Sequence, residues 1–128
     1  IRYEDILEGY VREVARAAPE FLVNVTNDAW FLDTTEPHLH HMAARMRAIE
    51  VRRDIVRSVN TGVSGHIAAT GERVLETPTY VEATRVSEVR SGEGVTFYAR
   101  HGDMLPWMLE GCLLAFLGAH LFRRARAT

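Results

Sequence analysis

Cysteine is almost absent: Cys112 is the only one in 128 residues. That excludes an internal disulfide and any cysteine-rich metal site, and it says little about redox compartment. An excess of charge of either sign is also missing. The chain carries 15 Lys and Arg against 17 Asp and Glu, a net charge of −2, so no basic surplus argues for nucleic acid. Internal repeats and low-complexity segments are lacking as well. The front has neither an initiator Met nor the basic, apolar and small-residue layout of a signal peptide. A chain that opens on Ile1 in this way is expected to be cut from a longer protein.

What is present suits one domain with a core. Hydrophobic residues make up 47% and charged residues 25%, ordinary for a globular chain too short for two domains. These averages hide an asymmetry. Residues 1–103 hold almost all the acids, whereas the last stretch is apolar and ends in Arg123, Arg124 and Arg126.

Asp5 to Ala17 reads as a helix with Ile6, Tyr10, Val14 and Ala17 inward and Glu8, Arg12, Glu13 and Arg16 outward, stopped by Pro19. Phe21 to Val25 is a short apolar run of the kind expected for a strand covered on both faces. Thr26 to Thr35 is a loop. Thr35, Glu36 and Pro37 open a second helix with a hydroxyl cap, an early acid and an early proline. It should run to about Val51, with Leu39, Met42, Ala43, Met46 and Ile49 inward. A strand over Asp54–Val59 follows. The period then changes to two, with Val63, Gly65 and Ile67 alternating against Ser64, His66 and Ala68. Thr70-Gly71-Glu72 turns into a strand over Arg73–Glu76, Pro78 breaks it, and Thr84–Val89 reads as another. Strands and helices in this order, closing in a hairpin-like meander, describe a layered α/β domain with at least four or five strands.

Met104 to Phe122 differs in kind. It approaches the ~20 apolar residues that cross a bilayer core, with Trp107 suited to one interface and the arginines beyond to a cytoplasmic flank. Glu110 and His120 oppose this, since each is costly in hydrocarbon unless near an edge or paired. The other reading is an amphipathic helix docked on a soluble domain. Cys112, inside this segment with no histidine or lysine arranged to activate it and only Glu110 nearby, reads as filler.

His38, His40 and His41 invite a metal reading. On a helix, His38 and His41 share a face that His40 does not, no third ligand is evident, and ordinary first-turn polar histidines are the better account. Arg45, Arg47, Arg52 and Arg53 form a basic run. With Glu50 and Asp54 at helical spacing it reads as a solvated, paired face rather than a phosphate site.

Four segments carry a resemblance, in order: Tyr3-Glu4-Asp5-Ile6-Leu7, Val23-Asn24-Val25-Thr26-Asn27-Asp28-Ala29-Trp30-Phe31, Arg45-Met46-Arg47-Ala48-Ile49-Glu50 and Arg57-Ser58-Val59-Asn60-Thr61-Gly62-Val63-Ser64. Tyr98-Ala99-Arg100-His101-Gly102-Asp103 before the apolar helix completes it. Across essentially its whole length the chain resembles the apolipoprotein N-acyltransferase branch of the carbon–nitrogen hydrolase (nitrilase) superfamily. The resemblance implies an α/β fold: the C-terminal half of a nitrilase-type α-β-β-α sandwich (residues 1–103), one transmembrane helix (104–122) and a basic cytoplasmic tail (123–128).

It also implies a place in the bacterial inner membrane, with the folded portion facing the periplasm. The partners implied are a phospholipid acyl donor, a lipoprotein N-terminus as acceptor and the missing N-terminal part of the same domain, with no nucleic acid, cofactor or metal. In such enzymes a cysteine thiolate takes the acyl group as a thioester and passes it to the diacylglyceryl-cysteine amine. A glutamate serves as base and a lysine helps hold the oxyanion, which splits one hard transfer into two easier ones.

The chain departs from that pattern. The nucleophile normally precedes Tyr-Glu, and here that position is Arg2, whose guanidinium stays protonated and cannot attack an ester. The glutamate and lysine belong upstream of Ile1. Leu32 stands where the family has glycine, which forbids an easy left-handed turn. Arg2, Tyr3 and Glu4 thus mark the catalytic location without competence. Tyr3 and Glu4 flank the site on this reading, or simply form a helix first turn.

Asn27, Asp28, Trp30 and Phe31, with Asn60 and Thr61, are the candidate substrate-binding residues, at strand ends where α/β folds place ligands; a capped turn with two core aromatics is the alternative. Three functions stay open: an inactive portion of an N-acyltransferase, a fragment of a soluble carbon–nitrogen hydrolase or amidase, and a non-catalytic member acting as a binding scaffold. Half a sandwich would leave sheet edges and one sheet face uncovered.

Overall fold

The computed structural model describes residues 7–31 and 34–126. Its elements are α1 (Glu8–Arg16), β1 (Leu22–Asn27), a 3-10 turn (Ala29–Phe31), α2 (Glu36–Val51), β2 (Ile55–Asn60), β3 (Gly65–Ile67), β4 (Arg73–Glu76), α3 (Phe97–His101) and α4 (Met104–Arg126). The four strands form one sheet in the order β1-β2-β3-β4. β1 and β2 are parallel with Leu22 opposite Ile55 and Asn27 opposite Asn60, which requires a crossover, supplied by α2. β3 and β4 return antiparallel.

Of α1, the described part begins at Glu8, and Pro19 follows Ala18, whose φ is +50°. Its buried residues are Val11 and Ala15, not the expected stripe: Tyr10 is exposed and Val14 half-buried. The helix is rolled about one residue from its expected orientation. Val11 and Ala15 meet Val51 of α2 and Ala99 of α3, small partners that let three helices approach closely. Arg16 fixes that approach by donating to the carbonyls of Ala99 at 3.0 Å and Arg100 at 3.2 Å, near the end of α3, where helix carbonyls lack intrahelical partners.

α2 spans the expected residues but presents another face. Ala44 and Ala48 are fully buried against Ile55 and Ile67. Leu39, Met42, Met46 and Ile49, expected inward, are about half exposed. The buried stripe instead includes His40, His41 and Arg47, displaced by one residue, or about 100° around a helix. Two of its polar members meet acids on other elements, His40 at Asp28 and His41 at Glu76, and Arg47 pairs with Glu50 on the same helix. Thr35 stands at the N-cap but makes no side-chain cap; Thr34 Oγ1 accepts the Glu36 amide at 3.4 Å.

Helices cover one face of the sheet only. On β1, Leu22 and Asn24 are half-buried and Thr26 buried, whereas Val23 and Val25 are exposed. β1 is therefore not covered on both faces as expected; its apolar run is continuous, but the face of Val23 and Val25 is exposed among the described residues. Thr84–Val89 is not a strand either. Side-chain bonds hold it and its neighbour instead: Ser87 Oγ lies 2.6 Å from His66 Nδ1, and just beyond it the Arg90 amide donates to Asp54 Oδ2 at 2.9 Å. Further along, the Gly92 amide donates to the Glu20 carbonyl at 2.8 Å.

Arg53 corrects the solvated reading of the basic run. It is 2% exposed, and its guanidinium donates to the carbonyls of Pro19, Arg52, Glu93 and Gly94. One buried cation so joins the α1–β1 loop, the end of α2 and the segment before α3. Arg47 is buried too, 2.8 Å from Glu50.

α4 follows Gly102 and Asp103 directly. It has 23 residues, about 34 Å at 1.5 Å per residue, and no part of its most apolar stretch is buried against the domain. It is long and apolar enough to cross a membrane, and the docked-helix alternative finds no contact to support it. Cys112 lies exposed on it.

Candidate functional site

Parallel strands bring the two motif loops together. Because Asn27 faces Asn60 in register, the Asn27–Phe31 turn and the Asn60–Gly62 turn leave the sheet side by side, at the strand C-terminal ends. Asn27 Oδ1 accepts from the Ala29 amide at 3.1 Å and from Asn60 Nδ2 at 3.3 Å. The Asp28 amide donates to the Asn60 carbonyl at 3.2 Å, and the Phe31 amide to the Asp28 carbonyl at 3.1 Å. Both asparagines therefore close turns, one through its own loop and one across to its neighbour.

Asp28 is not displayed to solvent. It is 1% exposed, with Thr26 Oγ1 donating to Oδ1 at 3.5 Å and His40 Nδ1 at the same distance. Gly62 makes room for it: a Cβ there would stand 2.7 Å from Asp28 Oδ2 and 2.5 Å from Val59 Cγ1. Thr61 holds φ at +66°, a genuine outlier for a β-branched residue, and its hydroxyl donates to the Asn60 carbonyl at 2.6 Å. Strain of this kind persists where surrounding contacts over-determine the backbone.

A groove of about 400 Å³ opens beside the second of these turns, lined by Asn60, Thr61, Ser64, Thr77, Tyr80 and their neighbours. Tyr80, with φ at +59°, donates its amide to the Thr61 carbonyl at 3.0 Å. Ser64 Oγ accepts the Val59 amide at 2.9 Å, bracing the β2–β3 turn. Trp30 is 68% exposed at the rim of its loop, while Phe31 sits edge-on to His40 with ring centres 4.9 Å apart.

Asn27, Asp28, Trp30, Phe31, Asn60 and Thr61 are thus brought together. Arg2, Tyr3, Glu4 and Leu32 lie outside the described residues. Gly62, Ser64, Tyr80 and His40 were not singled out as site residues. Gly62 closes the quoted motif and Ser64 ends it; nothing local marks Tyr80. His40 and His41 are both buried on the sheet side of α2, so the helical phase that sets His40 apart from His38 and His41 did not mark it as a site residue.

The polar layer under α2 has its own electrostatics. His41 Nε2 lies 2.8 Å from Glu76 Oε1. Burial, then the Arg57 charge, holds the imidazole pKa below its usual value, with Glu76 opposing. Burial raises the Glu50 carboxyl, helped by Glu8 and Asp103 and resisted by Arg47. Among the described residues no three His, Cys, Asp or Glu side chains group as metal ligands.

No family model matches the chain. Curated relatives do. It is 40% identical over 124 residues to the apolipoprotein N-acyltransferase of Geobacter metallireducens, 95% of this chain and 23% of that protein. The enzyme of Methylococcus capsulatus is 41% identical over 128 residues, 98% of this chain and 24% of the relative. That of Pasteurella multocida is 36% identical over 126 residues, again 98% and 24%. Nearly the whole chain is therefore homologous to about a quarter of an apolipoprotein N-acyltransferase, consistent with a C-terminal portion of that family's chain.

Proposed function

We propose that this chain is the rear wall of an acyl-transfer site that moves an acyl group from a phospholipid to the N-terminal diacylglyceryl-cysteine of a lipoprotein. The observation that supports this reading is the locked pair of turns at the ends of β1 and β2, beside a groove and with an exposed Trp30. On this reading Arg2 holds the nucleophile's place, next to Tyr3 and Glu4, and the chain builds pocket walls without a reactive sulfur.

The chemistry needs a thiolate to attack the phospholipid ester. The acyl carbon–oxygen bond breaks, the thioester forms, and the lysophospholipid alkoxide leaves with a proton from the general acid. The lipoprotein amine then attacks the thioester, loses a proton to the base, and the thiolate returns. Arg2 performs neither step. The base and the oxyanion-holding lysine must come from the preceding part of the nitrilase-type sandwich, which this sequence does not supply; it contains no lysine at all. α4 would anchor the domain on the periplasmic side of the inner membrane, with Arg123, Arg124 and Arg126 at the cytoplasmic end, as cationic flanks prefer.

The test is a chimera in which residues 1–128 replace the matching quarter of the Geobacter metallireducens relative. With Arg2 in place, no acyl-enzyme should form on intact-mass measurement and no lipoprotein should be N-acylated. With Arg2→Cys, both should appear. Equal activity of the two, or none from a folded, membrane-inserted Arg2→Cys chimera, would overturn the reading.

A further inference from the structure

We infer that His40 is a positioning residue that sets the Asp28–Phe31 turn, and with it the direction of Trp30, from the rigid body of α2; this rests on the reading of that turn as a substrate wall.

One imidazole touches both ends of the turn. His40 is 4% exposed. Its Nδ1 lies 3.5 Å from Asp28 Oδ1 at the first end, and its ring stands at 84° to Phe31, centres 4.9 Å apart, at the other. Nε2 lies 3.9 Å from Glu36 Oε2 one turn earlier on α2, so carboxylates flank the ring on both nitrogens. Between these contacts only Ala29 and Trp30 remain. The Asp28 amide to the Asn60 carbonyl and Asn60 Nδ2 to Asn27 Oδ1 hold the first end of the turn against β2, the Phe31 and Ala29 amides close it internally, and the His40 ring adds a contact from α2 at the Phe31 end.

On the far side, Asp28 is pressed toward Gly62, where a Cβ would stand 3.1 Å from its own Cβ. The carboxylate is therefore gripped between α2 and the Asn60–Gly62 turn, and a helix is a more exact support for a binding loop than another loop. His40 does not line the groove. It acts on substrate through Asp28, Phe31 and Trp30, not by contact.

Trp30 reports the effect directly. Trp107→Phe leaves Trp30 as the only indole in the chain. In detergent micelles, which tumble slowly, Trp30 anisotropy then reads local motion of the turn. His40→Leu, which keeps bulk but removes both nitrogens, should lower it clearly. His40→Gln, which can still donate toward Asp28, should restore most of it. Asp28→Asn should leave it near the starting value. A purely structural His40 would instead lower the melting temperature alike in Leu and Gln variants without singling out Trp30.

In the Arg2→Cys chimera, His40→Leu should reduce kcat about 10- to 100-fold, the scale of a small misplacement at a distance, with His40→Gln in between. Unchanged Trp30 anisotropy in a folded His40→Leu protein would overturn the inference, whatever the chimera does. A mobile turn with undiminished kcat would keep the positioning of Trp30 and sink the substrate-wall reading instead. Should His40→Leu fail to fold, Phe31→Leu removes the other contact of the same ring, and unchanged Trp30 anisotropy there is equally fatal.

Discussion

His66 Nε2 lies 3.0 Å from Asp54 Oδ2, and both residues are almost wholly buried, at 3% and 2% exposed. The pair joins the start of β2 to the middle of β3. Asp54 also accepts the Ala69 amide at 2.8 Å and the Arg90 amide at 2.9 Å, while Ser87 Oγ meets the other ring nitrogen of His66, Nδ1, at 2.6 Å. A single carboxylate therefore pins the β3–β4 turn and the irregular segment that crosses beside the sheet.

Burial alone would raise the Asp54 pKa. The amides of Arg90 and Ala69 and the His66 contact overcome it, and the carboxyl titrates below its ordinary value. The folded pKa lies below the unfolded one, near 3.9. Its stabilisation is complete above about pH 4 and is lost as pH falls through the folded value. Asp54→Asn should remove that acid-side loss and cost about 2 kcal/mol at neutral pH, the scale of hydrogen bonds to a charged acceptor. Thermal melts of the micelle-held chain across pH check both; an unchanged acid limb would show that the carboxylate is not ionised in the fold.

His41 gives a second pH effect, in a different window. Burial and then Arg57 keep its folded pKa below 6.5, against the pull of Glu76. The unfolded chain therefore takes up a proton first as pH falls. Stability should decline below about pH 6.5 until the folded value is reached. His41→Gln should flatten the curve between pH 7 and 5. A slope that persists in that variant would place the titration elsewhere.

How much of this was visible in the residues divides by mechanism. Local signals held: Pro19, the acid and proline opening α2, Pro78 and the apolar span of α4 act within a few residues, and α1, α2, α4 and β1 to β4 appear close to where they were expected, whereas the short α3 was not foreseen. Orientation did not follow. Leu39, Met42, Met46 and Ile49 made the stronger apolar stripe, yet α2 buries His40 and His41, which meet Asp28 and Glu76 from other elements, and Arg47, which pairs with Glu50 on the same helix. Periodicity counts apolar residues and cannot see a partner acid on another element, such as Asp28 or Glu76. The same blindness made Thr84–Val89 look like a strand, when Asp54 and His66 hold that stretch by side-chain bonds. The motif loops were legible because the two asparagines stand at matching strand ends; that they bind each other needed the register.

Gly62 tests the lock between those loops. A methyl group there meets Asp28 and Val59 well inside contact distance, and both belong to ordered strand ends. Gly62→Ala should therefore destabilise the chain by about 1–3 kcal/mol, the range for overpacking, and shift the Trp30 emission maximum in the Trp107→Phe background. Asp28→Ala should partly relieve it, because the double variant removes the clashing carboxylate. Additive losses in the double variant, read from melts, would show that the two residues do not oppose each other.

α4 offers the last test. Leu113 and Leu117 are exposed, four residues apart and so on one face. If the helix spans a bilayer, each Leu→Arg there costs about 2.5–3.5 kcal/mol on insertion scales, so Leu113→Arg with Leu117→Arg carries roughly 5–7 kcal/mol together. The parent chain should stay with membranes through alkaline carbonate extraction, and the double variant should be released or fail to insert. Glu110→Leu should strengthen retention, since that carboxylate is the most costly group in the helix. Release of the parent chain by carbonate would leave α4 lying on a surface, and the domain with no anchor of its own.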